Sequence, residues 1–264
     1  MVNKERKVVL NLANVKSNNL VLHGVGEAFL LSADGSIAGR LSKLQSMSIE
    51  VSSESEDVYG GDSLFPIFNY IKSKTATFKF KNATMDMDVL AVTQGTVVEG
   101  NGEVNAVETL VVKGNKASLS ATTGVDLESV VVIADGKALK RATSPTTSDQ
   151  FSVTETGALT FATGFTNTTI EVSYVYKVTD GSTVNVLTND VPGFVELRHT
   201  SAPVKLPDGR KVQLHTRVYK AVCDGGFNLE YTRDGAVAPE VTFKSVDPER
   251  PDKRFVTYSL TEVK

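Results

Sequence analysis

The sequence predicts a mainly β fold. Apolar and polar residues alternate in several short runs, glycine-containing turn pairs separate those runs, and a strong helical stripe occurs once. In chain order, Gly26 to Leu31 is apolar and aromatic and leads into Asp34-Gly35, a pair suited to a hairpin turn. Met47 to Ser53 sets Met47, Ile49 and Val51 against Ser48, Glu50 and Ser52, the pattern of a half-buried strand. Leu64, Ile67, Phe68 and Ile71 then fall at i, i+3, i+4 and i+7 and predict one flanking α-helix over about 63–74. Asp62 or Ser63 would cap it, Pro66 suits its first turn, and Lys72 and Lys74 suit the negative end of its dipole. Thr75 to Lys81 returns to alternation, with Phe78 and Phe80 on one face and Lys79 and Lys81 on the other. A second, shorter helix fits Met85 to Thr93, ending at Gly95.

The middle of the chain changes character. From about Glu103 to Asp180, Ser, Thr, Gly and Val dominate. The turn pair Asp135-Gly136 and a loop around Thr143 to Asp149 interrupt short strands at Thr109 to Lys113, Ser129 to Ala134, Gln150 to Thr154, Leu159 to Ala162 and Thr169 to Val178. This spacing predicts a small Ig-like β module, inserted or appended, over 103–180. Residues 1–102 and 181–264 then form one discontinuous β domain, to which Val212 to Val218 and Arg254 to Leu260 add alternating strands. No exact internal repeat is visible.

Composition narrows the function. A chain of 264 residues makes one large β domain or two small ones. The 41% hydrophobic fraction supplies a core, and 22% charged is too ordinary for a disordered chain. Lys+Arg 28 against Asp+Glu 31 gives 28 − 31 = −3, which argues against a broad nucleic-acid-gripping surface but suits a passage through which DNA slides. Cys223 is the only cysteine, so no intramolecular disulfide forms. Met1 to Val15 holds no signal-peptide stretch, and the best apolar run, Val130 to Ala134, is strand-sized. A soluble protein made in a reducing cytoplasm is therefore expected, with no membrane partner.

Catalytic and metal chemistry find little footing. Gly61-Asp62-Ser63-Leu64 spells the G-D-S-L block of a serine esterase family, but that chemistry needs a base from a C-terminal D-x-x-H block. Here Glu196 and Val212 precede His199 and His215 by three residues, and a helix cap accounts for Asp62 and Ser63. His23, His199 and His215 lack metal-ligand spacing, and Asp86 and Asp88 read as solvated acids more readily than as a cation pair. Gly24 and Gly26 lack the third glycine of a dinucleotide loop. The sequons at Asn82 and Asn167 mean little without secretion. No catalytic residue, metal or cofactor is expected.

One charge feature remains. Between Lys43 and Lys72 there is no basic residue, while Glu50, Glu54, Glu56, Asp57 and Asp62 accumulate. This is either a solvated loop or a reaching loop whose acids meet basic groups on a neighbouring copy, with Tyr59 as a contact anchor.

Taken together, the segment Gly26-Glu27-Ala28-Phe29-Leu30-Leu31, the acidic stretch, Gly60-Gly61-Asp62-Ser63-Leu64, Asn82-Ala83-Thr84 and Leu90-Ala91 resemble the major tail (tail tube) proteins of long-tailed bacteriophages. Gly157-Ala158-Leu159-Thr160-Phe161 leading to Val172-Ser173-Tyr174-Val175-Tyr176 fits the same family texture. So does Val246-Asp247-Pro248 followed by Asp252 to Tyr258. The resemblance implies a tail-tube-like β-sandwich or barrel with a flanking helix, and hexameric rings that stack into a channel for DNA at infection. The partners would be other copies of the chain, other tail proteins, and DNA only in transit. The location would be the virion tail, and the 103–180 module would decorate the exterior. Met47 to Gly61, with Glu50, Glu54, Glu56, Asp57 and Tyr59, would make ring-to-ring contacts. Ile49, Val51, Phe65 and Phe68 would add apolar area at a seam, closing strand edges that a monomer normally blunts. A capsid decoration protein, a tail terminator and, more distantly, a carbohydrate-binding surface module stay as alternatives.

Overall fold

The structure, a computed structural model, describes residues 23–62, 64–206, 209–231, 233 and 238–263. Strand accounts for 54% and helix for 5%, so the fold is mainly β. The chain divides into two compact units, Met1–Asp86 with Gly193–Lys264, and Met87–Pro192. The boundaries expected at 103 and 180 lie inside the second unit.

The chain opens with β1 (Glu27–Leu31), β2 (Ile37–Leu41), β3 (Leu44–Val58) and β4 (Phe68–Asn82). The second unit carries α1 (Met87–Gln94), β5 (Val98–Glu99), β6 (Gly102–Val111), β7 (Lys116–Ser118), a 3-10 turn at Leu127–Ser129, β8 (Val131–Ala134) and β9 (Lys137–Ala138). It continues with β10 (Lys140–Arg141), β11 (Gln150–Val153), β12 (Ala158–Phe161), β13 (Thr169–Val178) and β14 (Thr183–Val184). The chain returns to the first unit through β15 (Phe194–Thr200), β16 (Val204–Lys205), β17 (Lys211–Asn228), β18 (Glu240–Ser245) and β19 (Val256–Val263).

In the first unit these strands form one sheet in the order β2-β1-β15-β17-β18-β4-β3, with β16 and β19 also on β17. All its pairings are antiparallel. The long β17 is shared: its first half pairs β19 and its second half β18, with a register shift between Cys223 and Phe227 that bends the strand. Alternation sets the core. Phe78 and Phe80 are buried while Lys79 and Lys81 are exposed, and Phe80 meets Phe243 edge-on at 6.1 Å. Leu30, Leu197, Val218 and Ala221 extend this layer across the sheet.

The second unit has its own core. Two four-stranded sheets, β6-β13-β8-β9 and β10-β11-β12-β7, share one cluster that includes Val132, Ile170 and Val172 from the first and Phe151, Leu159 and Phe161 from the second. A sandwich results. The helix α1 belongs to this unit and lies against the β5–β14 ribbon. It ends on Gly95, at φ 80, with Gly95 N donating to Val92 O and Thr96 N to Ala91 O, a paired closure that glycine accommodates without strain.

The helix expected over 63–74 is not there. Residues 68–82 form β4, and the molecule's described α-helix is the shorter one anticipated near Met85 to Thr93. Phe68, Tyr70, Ile71 and Thr75 favour extended backbone, although Ile71, Lys72 and Lys74 interrupt the alternation that Thr75 to Lys81 shows. Pairing with β3 satisfies that backbone, whereas a short helix whose stripe has nothing to pack on is marginal in water. Asp62 therefore caps no helix and lies in a turn; Ser63 falls outside the described residues. The acidic stretch expected as a loop from Met47 to Gly61 is mostly strand, β3.

Candidate assembly surface

The β3–β4 hairpin is the feature that stands out from the sheet. It pairs from Leu44↔Asn82 to Val58↔Phe68, but β18 reaches β4 only over Thr77–Lys81. Beyond Val51↔Ala76 the two strands therefore run with no third strand among the described residues, and every residue of that stretch up to Lys74 is exposed. Seven residues of β3 project in this way, about 23 Å at roughly 3.3 Å per residue. The loop at the end is closed by Ile67 N donating to Val58 O at 2.8 Å.

Four of the five residues singled out from the acidic stretch, Glu54, Glu56, Asp57 and Tyr59, lie beyond Val51, and Glu50 lies just before it, within the sheet. Glu50 faces Thr77 near the base. Ser73 Oγ donates to Glu54 Oε2 at 3.1 Å, Lys72 Nζ stands 3.4 Å from Glu56, and Asn69 Nδ2 donates to Asp57 Oδ1 at 2.6 Å. Tyr59 follows the strand and is 60% exposed. Alternation places Glu50, Glu54 and Glu56 on the face opposite Ile49 and Phe78, and Asp57 on the other, so the hairpin gathers these residues without making them one cluster. One exposed ion pair adds little stability, and the shaft, with Glu54, Glu56 and Asp57 against Lys72 and Lys74, is only slightly acidic.

The larger signal is apolar. Leu64 is 93% exposed, Phe65 79%, Ile67 66% and Phe68 62%, with Phe68 and Tyr70 stacked at 6.3 Å. A contiguous apolar patch of this kind on a surface marks an interaction site. Phe65 and Phe68 were expected at a seam as helix residues; they are at the arm's end, joined by Leu64, Tyr70 and Ile71. The β-favouring Phe68, Tyr70, Ile71 and Thr75 were the signal for the strand.

Residues 20–257 match the model of the YomU/Tube protein family. The chain belongs to the YomU/Tube family. As a YomU/Tube chain it is a phage tail tube protein, the family its sequence resembles. No curated protein matches the chain at a significant level.

Other sequence features of this YomU/Tube protein find structural roles. His199 is buried, with Nε2 2.5 Å from Val25 O, and burial pushes its pKa down. His215 bridges two hydroxyls, Thr200 Oγ1 at 3.1 Å and Thr261 Oγ1 at 2.8 Å. Asn82 is buried, donating to Thr84 O and accepting from Lys43 N, so this sequon asparagine is spent on closing the hairpin's base. Asp88 sits in the first turn of α1, where an acid suits the dipole. Burial raises the Cys223 thiol pKa. No helix among the described residues is long and apolar enough to cross a membrane.

Proposed function

We propose that this chain is the structural, non-enzymatic subunit of a tail tube, assembling through its arm into stacked, hexameric rings whose channel passes DNA during genome ejection. The observation that carries the reading is the two-stranded arm with an exposed apolar end. A lone hairpin is marginal in water, so one that holds Leu64, Phe65, Ile67 and Phe68 in solvent gains its stability from a partner surface. The sheet also ends in open edges, β2 on one side and β3 on the other, among the described residues. Neighbouring copies would cover them and satisfy their free backbone groups. In this reading Glu50, Glu54, Glu56, Asp57 and Tyr59 contribute ring-to-ring contacts, other tail proteins meet the terminal rings, and the protein resides in the virion tail after assembly in the host cytoplasm. The second unit, with its separate core, decorates the exterior. A net charge of −3 favours a channel on which phosphates do not stick.

The test is to replace residues 53–73 by an Asn-Gly turn. The shortened protein keeps its circular dichroism spectrum but forms no rings or tubes in negative stain, at concentrations where the parent does. Parent protein that stays monomeric under all assembly conditions, or a shortened variant that assembles equally well, would overturn the proposal.

A further inference from the structure

Resting on that assembly reading, we infer that the end of one copy's arm docks into a groove at the base of the arm of a second copy. The groove encloses about 510 Å³. Val51, Lys74 and Ala76 of the hairpin base form one wall, and Val246, Pro248 and Phe255, from the connection between β18 and β19, form the other. Its floor is apolar where Val51 stands 53% exposed, and its rim is charged.

Charge selects the occupant. Two rim charges are paired within the chain, Glu249 with Lys220 at 3.1 Å and Arg250 with Asp252 through two hydrogen bonds of 3.0 Å, while Asp247 accepts from Glu249 N and keeps its negative charge. Lys74 and Lys253 remain, with no ion pair among the described residues. Among the described residues the groove thus presents an apolar floor and two unpaired cations against the one unpaired anion Asp247, a net positive rim. The arm's end presents the converse, Tyr59, Leu64 and Ile67 beside Asp62, in a run that carries acids and no base from Lys43 to Lys72.

The groove wall is also preset. Glu249 and Lys253 hold φ of 55° and 52°, left-handed values that non-glycine residues rarely adopt. Arg250 is stacked 4.1 Å over the Tyr219 ring, and Tyr219 N donates to Phe255 O, which anchors the connection in that shape. Strain maintained by such contacts along a lined surface points to a binding wall.

Tip and groove lie at opposite ends of one extended hairpin, so a copy's tip does not reach its own groove. The contact is heterologous, and heterologous contacts close into rings or extend without limit. This is the geometry a stacked tube needs.

Disulfide trapping tests the inference. In a Cys223→Ser background, Ile67→Cys and Val246→Cys are combined in one chain, assembled and oxidised. A covalent ladder on a denaturing gel is expected, with no ladder from either cysteine alone. Tubes that form without a ladder, while Ile67→Cys is trapped by Ser32→Cys instead, overturn the groove and leave the arm reading intact. Failure of the unmodified protein to assemble overturns both. As a second measurement, Lys74→Glu raises the concentration needed for assembly about tenfold and adding Asp62→Lys reverses it. A double variant no better than the single one overturns the pairing.

Discussion

His199 sits at 8% exposure with its Nε2–H given to the Val25 carbonyl, and among the described residues its buried Nδ1 has no hydrogen-bond partner. Thr216, its register partner on β17, likewise leaves Oγ1 unpaired. Burial is the main cause of the lowered pKa, helped by His215. The folded state thus binds a proton less readily than the unfolded chain. Stability is complete above the ordinary value of 6.5 and falls as pH drops through and below it, down to the folded pKa. Thermal denaturation between about pH 7.5 and 5 is expected to record this fall, and His199→Gln to flatten it. An equal slope in that variant would assign the effect to other groups. Tyr174 is the counterpart in the second unit. At 2% exposure, its hydroxyl donates to Glu108 at 2.5 Å and accepts from Ala121 N, and burial together with the Glu108 hydrogen bond pushes its pKa up to about 12. Tyr174→Phe is expected to cost the second unit about 1–2 kcal/mol in denaturant titration while leaving assembly unchanged.

Among the elements, strand β1 depends on close backbone approach at its start. Gly26 has φ 80, and a Cβ there would lie 1.9 Å from Thr200 O, whose residue pairs with Glu27. Gly26→Ala is therefore expected to cost about 3 kcal/mol or more, read as loss of soluble protein or a large drop in the denaturation midpoint. The core pair of β4 and β18 offers a cleaner measurement. Phe243 is fully buried against Phe80, and Phe243→Ala is expected to cost about 3–5 kcal/mol. The arm belongs to this scale too, because it is where local pattern and tertiary outcome part. Leu64, Ile67, Phe68 and Ile71 fit a helical stripe, while Phe68, Tyr70 and Ile71 carry β propensity over the same short run. The tie is broken by β3, whose fifteen residues lie opposite in sequence reach. Where no such ambiguity exists, as in Thr169–Val178, the alternation alone marks out the strand to the residue.

At the scale of the whole molecule, two cores in two units predict two unfolding steps. Phe151→Ala should lower the transition of the second unit alone, and Phe243→Ala that of the first; a single transition shifted equally by both would show that the units unfold as one. Assembly should follow the first unit, which carries both the arm and its groove.

By itself the sequence determined the mainly β class, the positions of several strands such as Thr169–Val178, the family and the acidic stretch that builds the arm. These follow from short-range alternation, turn chemistry and charge, which need no knowledge of distant residues. Tertiary structure alone decided that 68–74 is strand, that the apolar stripe faces solvent, and that the connection from Val246 to Phe255 makes a groove beside Val51. Each of these depends on which distant segment supplies backbone hydrogen bonds or covers a side chain, and that partner is chosen by the folded chain as a whole.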